Sequence, residues 1–225
     1  MVKPIARRSS VRDLIYDQIE SDIINAVMLP GQEIEIAAIA DQWGVSRTPV
    51  REALFMLEAN GLIEFGLRGQ PLVRKLSPKE VDDTYFILAT LEGAMAKLGA
   101  EKIGISELAR MKGLIAECEV LVEANEYASF REATLRFREV VYEQCGNKRL
   151  VDLVSSLWIQ VRPYGTWLLS QPGMAAARLE RDHKILQACE QGDAVLVQKL
   201  VYEGVELAGK RIVKHLLEDE ASEGL

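Results

Sequence analysis

The stretch Ser46-Arg47-Thr48-Pro49-Val50-Arg51 sets two guanidinium groups four residues apart, a spacing that puts both on one face of an α-helix. Arginine forks match guanine edges and phosphate oxygens, and a threonine hydroxyl donates to a phosphate or touches a thymine methyl. The chemistry on offer is recognition of a polyanion. Val50, Ala53, Leu54 and Leu57 form the opposite stripe and would seat the helix, leaving Arg47 and Arg51 outward. Pro49 lies in the first turn, where its missing N–H costs nothing. The helix-start amides from Ser46 onward add an anion site. Further along, Arg68-Gly69 sits between two short β patterns, where glycine lets backbone approach a duplex and arginine reaches a phosphate or the minor groove. Arg12 and a basic arm (Lys3, Arg7, Arg8) offer sequence-independent phosphate contacts.

The net charge of −7 is unusual for a DNA binder, and its distribution is uneven. Residues 1–76 hold nine Lys/Arg against ten Asp/Glu, and residues 77–225 hold eighteen against twenty-four. Any basic face must therefore be local and small. No window approaches the roughly 20 apolar residues of a membrane span, and Arg12, Asp13 and Asp17 interrupt any signal-like run after Arg7-Arg8. A cytoplasmic protein without a membrane partner is expected. Cys118, Cys145 and Cys189 are odd in number and sit in helix-like apolar patterns, which suits reduced, buried thiols or a redox sensor.

The elements that must position these residues read as follows. Ser10 caps a helix over 10–27 with Val11, Leu14, Ile15, Ile19, Ile23 and Val27 at helical spacing, ended by Leu29-Pro30-Gly31. A second helix spans 35–43 and stops at Gly44, and the third opens at Ser46 and stops at Asn60-Gly61. Ala40 supplies a small residue where two helices cross, Gly44 the turn, and Ser46-Arg47-Thr48 a polar start to the second helix of a helix-turn-helix. Residues 62–65 and 71–74 alternate as a hairpin. Three helices followed by a small β-hairpin outline a winged helix-turn-helix over 8–76. From Ser77-Pro78-Lys79-Glu80, a capping box with proline at the first helical position, the chain reads as five or six helices, roughly 78–103, 105–124, 126–146, 147–170, 172–191 and 193–217. The fold class expected is mostly α, the winged unit joined to an all-α antiparallel bundle over 77–218. Within it, Arg162 with Trp158, Tyr164 and Trp167 on adjacent turns lines a pocket or packs as core.

Leu29-Pro30-Gly31, Gly44-Val45-Ser46-Arg47-Thr48-Pro49-Val50-Arg51-Glu52-Ala53-Leu54 and Leu57-Glu58-Ala59-Asn60-Gly61-Leu62 resemble the GntR family of bacterial regulators. Phe137, Gly146-Asn147-Lys148-Arg149-Leu150, and His183-Lys184-Ile185-Leu186-Gln187-Ala188-Cys189 followed by Gly192-Asp193 resemble its FadR-type effector domain, the FCD domain. The resemblance covers residues 10 to about 215. It implies a homodimer on a palindromic double-stranded operator, acting as a repressor or activator, with a small metabolite, often a carboxylate, bound among the helices.

The resemblance also implies a divalent metal held by an Asp and three His. Those positions read Thr134, Arg138, His183 and Gly204, so one imidazole survives, and a permanent cation at Arg138 would repel a metal. His215 is three helical turns past Gly204, about 16 Å along the axis. No cofactor is expected; a metal at His183 is the alternative. The swap suggests that Arg138, beside Thr134 and His183, meets a ligand carboxylate directly; otherwise it pairs with an acid such as Glu92 or Glu139. Leu88, where relatives often carry arginine, leans toward a partly apolar ligand. Two other function classes compete. An enzyme would have to build on His183 with Asp182, Thr134 or a cysteine, but no nucleophile, base and orienting group assemble at readable spacing. A helical interaction module without DNA affinity would have no use for Arg47, Thr48, Arg51 and Arg68.

Overall fold

The computed structural model describes residues 10–25 and 27–223, and the chain divides into two compact units with the boundary between Leu76 and Ser77. The basic arm expected to contact phosphates lies outside the described residues.

The first unit holds α1 (Val11–Ile24), α2 (Ile36–Trp43), α3 (Arg47–Ala59), β1 (Ile63–Phe65) and β2 (Pro71–Val73). Helix α1 starts where Ser10 accepts from the Asp13 amide while the Asp13 carboxylate accepts from the Ser10 amide, a reciprocal capping box. It ends three residues before Val27, which is exposed; Val11 and Leu14 are exposed too, so the inward stripe is Ile15, Ile19, Ile23 and Ile24. This stripe meets Val50, Ala53, Leu54 and Leu57 of α3, all fully buried. Each such large aliphatic residue contributes about 1.5–3 kcal/mol by leaving water. Between α2 and α3 the chain turns on Gly44, at φ 61°, with the Val45 amide donating to Ala40 O and the Gly44 amide to Asp41 O. These bonds close the end of α2 in a left-handed cap that a Cβ would strain. Strands β1 and β2 pair antiparallel with Ile63 opposite Val73, and Glu33 bridges to Leu72, a pairing that no alternation in the sequence announced.

The second unit is helical: α4 (Pro78–Ala100), α5 (Ile105–Glu123), α6 (Tyr127–Glu143), α7 (Lys148–Ser170), α8 (Met174–Glu190) and α9 (Ala194–Glu223). Its main core joins Met111, Phe137, Val140, Ile185 and Val201, drawn from α5, α6, α8 and α9. Cys118, Cys145 and Cys189 are buried and free, and burial pushes the Cys118 and Cys189 thiols up to about 11, which keeps them protonated and unreactive near neutrality. Helix α4 approaches α6 closely at Gly99, where an added Cβ would lie 1.9 Å from the Val141 carbonyl oxygen. No described helix is long and apolar enough to cross a membrane.

Candidate nucleic-acid interface and effector cavity

In the first unit Arg47 and Arg51 from α3 and Arg68-Gly69 from the β1–β2 turn line one concavity, completed by Glu33, Glu35 and the start of α2. The three arginines are exposed, and none forms an ion pair among the described residues. Ser46 and Thr48 are exposed at the start of α3, and the Ser46 side chain makes no capping bond, so its hydroxyl is available to a ligand. The turn is tight: Gly66 donates to Gln70 O, Gly69 to Gly66 O, and Arg68 N to the Gln70 side chain. Gly69 holds φ 76° with open space beside it. Leu67 at the tip is fully exposed, a feature that went unremarked in the sequence although it stands between Gly66 and Arg68. Arg12 is not part of this concavity. Its guanidinium is held 2.7 Å from Asp13, so it is a compensated charge.

In the second unit a cavity of about 280 Å³ opens among α4, α6, α7, α8 and α9. Thr134, Arg138 and Arg162 line it; His183 and Leu88 do not. His183 faces outward on α8, its Nε2 3.1 Å from the exposed Glu119, because helical phase puts Asp182, not His183, on the buried side. Leu88 is buried in the helix packing. The expectation that Thr134, Arg138 and His183 share a site thus fails at His183. The Thr134 hydroxyl donates to the Arg131 carbonyl.

Arg138 is paired with Glu92, Nη1 to Oε2 at 3.1 Å, one of the alternatives open in the sequence. Glu92, on α4, also accepts from Tyr142 Oη at 2.9 Å and from the Trp158 indole N–H. Burial opposes the charge on Arg138, but Tyr142, Glu92 and Asp182 outweigh it and hold the guanidinium firmly protonated. Beside it, Arg178 grips the fully buried Asp182, with Nε 2.8 and 3.0 Å from the two oxygens. Burial first and Arg138 second push the Arg178 pKa down, as expected for crowded cations. Arg131, Arg181 and Arg211 also line the cavity and were missed in the sequence, where arginines at helical spacing look like a solvated face. Gly204 makes room for one of them: an added Cβ would lie 2.7 Å from Arg181 Cδ.

A divalent metal does not fit these residues. Gly204 offers no ligand and its space is filled by Arg181, Arg138 is a cation, and His183 points away. Among the described residues no three His, Cys, Asp or Glu side chains cluster for a metal.

A winged helix-turn-helix with an arginine-lined concavity, followed by a helical unit with a cavity, is the architecture of the HTH-type transcriptional regulators to which this chain is similar. Residues 12–69 match the model of the bacterial regulatory proteins of the gntR family, and residues 83–206 match that of the FCD domain. The chain belongs to the GntR family, in the branch that bears an FCD domain. It is 29% identical over 140 residues to the uncharacterized HTH-type transcriptional regulator YdhC of Bacillus subtilis (strain 168), a match covering 62% of each chain. It is 30% identical over 190 residues to the probable D-xylose utilization operon transcriptional repressor of Paenarthrobacter nicotinovorans, covering 84% of this chain and 81% of that one. Among solved structures, McbR/YncC of E. coli superposes with a TM-score of 0.76 at 20% identity, covering 94% of this chain and 99% of that chain.

Proposed function

We propose that this protein is a cytoplasmic repressor, without catalytic activity, that binds a palindromic operator as a homodimer and whose grip is set by a small anionic metabolite, a carboxylate, in the helical cavity. One observation supports this above others. The chain carries arginines in two unlike settings, an open concavity in the winged unit, where none is ion-paired among the described residues, and a deeper cavity in the helical one, where they outnumber the carboxylates. The open set suits a duplex, with α3 entering the major groove and Arg68 reaching the flanking backbone. The cavity set, around a space of about 280 Å³, suits a small molecule. A single α3 reads a few base pairs, so a dimer on a palindrome supplies the specificity a regulator needs. The repressor reading takes support from the relative described as a xylose-operon repressor.

The test is a gel shift of the full chain on the DNA upstream of its own transcription unit at several salt concentrations. Arg47→Ala or Arg51→Ala should weaken binding and each lower the slope of log affinity against log salt by about one. Unchanged affinity in both variants would remove the concavity from the interface. Small organic acids added to the same assay should shift the affinity, and Arg138→Ala should abolish that response.

A further inference from the structure

The cavity has two charged ends. Arg178 and Arg181 crowd Arg138 at one, Arg162 crowds Arg131 at the other, and Arg211 donates to Met174 Sδ. Arg131 and Arg138 both belong to α6, seven residues apart, hence on one face and separated by two turns, about 10 Å along the axis. Three of the six guanidinium groups are ion-paired, to Glu92, Glu132 and Asp182, and Glu139 also lines the cavity, which leaves two positive charges in place. Buried donors at both ends have no partner: Nε and Nη1 of Arg131, Nε of Arg138 and Nη2 of Arg178. An unpaired buried donor costs about 1–3 kcal/mol, more when charged, so guanidinium groups at both levels of α6 lack their full set of acceptors. Between the ends the lining is apolar, with Leu135, Val154, Leu168, Leu169 and Val205. The mutual repulsion follows the same division: Arg181 is depressed, after burial, by Arg178 and Arg138, whereas Arg131 is depressed, after burial, by Arg162.

We infer that the effector is a dianion with an acidic group, carboxylate or phosphate, at each end of an apolar body, clamped by arginines at both ends of the cavity without a metal. This rests on the reading that the cavity holds the effector. The apolar lining takes the body of such a ligand, and each acidic end supplies acceptors to the guanidinium groups that line the cavity there. A monoanion would leave one end buried and unpaired.

The test is titration calorimetry of the full chain in EDTA with three series of rising chain length: α,ω-dicarboxylates, ω-phosphonocarboxylates and monocarboxylates. At one length a dianion should bind about tenfold or more tightly than the monocarboxylate of equal length, the scale of a charge-assisted contact. Arg131→Gln, which breaks one ion pair, to the exposed Glu132, should erase that ratio while leaving monocarboxylate binding in place. Arg181→Gln, which breaks no ion pair, should weaken both. Equal binding of mono- and dianions in both series, equal weakening by Arg131→Gln, or a preference that requires added divalent cation would overturn the inference. A parallel gel shift separates this from the regulatory reading. Monoanions and dianions that release DNA alike would leave control intact and discard the two-ended site. Selective dianion binding with unchanged DNA affinity would keep the site and discard control.

Discussion

Glu92 accepts from Arg138, Tyr142 and Trp158 while 1% exposed, so it neutralises a guanidinium and satisfies two neutral donors at once. Removing it leaves Arg138 buried without its counter-charge. Glu92→Ala should therefore cost about 3–5 kcal/mol in urea unfolding, and the double change Glu92→Leu with Arg138→Met should recover most of that loss. A small effect for Glu92→Ala alone would mean that solvent already reaches the pair. At this scale the sequence was only partly legible. Arg47, Arg51 and Arg68 stood out because a turn signal and a helix start surrounded them. Arg131, Arg178, Arg181 and Arg211 did not, because α6, α8 and α9 carry other, solvent-facing charges at the same spacings. Only the packing of five helices shows which ones face inward. His183 was misplaced because a surviving imidazole in a familiar motif says nothing about helical phase, and Asp182 beside it takes the buried position.

Helix boundaries were readable because the sequence punctuates them chemically: Ser10 and Ser77 both form capping boxes, and Gly44, Gly146, Gly173 and Gly192 all adopt positive φ at the breaks. What the periodicity overstated was the length of α1. A capping box also has a pH signature. Hydrogen bonds from Arg12 and then Ser10 hold the Asp13 carboxyl down to about 2, below its unfolded value near 4. A depressed carboxyl stabilises fully above the unfolded pKa and loses its contribution as pH falls through the folded one. Amide protection at the start of α1 should thus fade between about pH 4 and pH 2 in hydrogen exchange, and Asp13→Asn should flatten that dependence. Where α4 crosses α6, contact distance decides the sign. In an open helix Gly→Ala gains about 1 kcal/mol. At Gly99 the Cβ meets the Val141 backbone, which cannot rotate aside, so Gly99→Ala should cost about 3 kcal/mol by thermal denaturation. A neutral result would show that the two helices can part.

For the whole molecule, the proposed control of DNA by a ligand would be a coupling between two sites, and coupling is reciprocal. If an acid weakens operator binding by a given factor, saturating operator must weaken binding of that acid by the same factor, measurable by calorimetry with and without duplex. Unequal factors would mean that one titration reports a second site. The division into two units was legible from the change of pattern at Ser77, where β alternation gives way to unbroken helical spacing. The composition of the cavity was not, since its lining is scattered over residues 85–211 and is assembled only by the tertiary fold.

Glu33 and Glu35 share the concavity with Arg47, Arg51 and Arg68, so the surface proposed to face DNA is nearly balanced in charge. Such a surface gains little from phosphates alone and much from a sequence that lets the arginines reach their partners. The kinetic consequence expected of such an interface is brief dwell on random DNA. On the proposed reading the protein should sample sites by frequent release and recapture more than by long sliding, with its occupancy of an operator set by how slowly it leaves that one place.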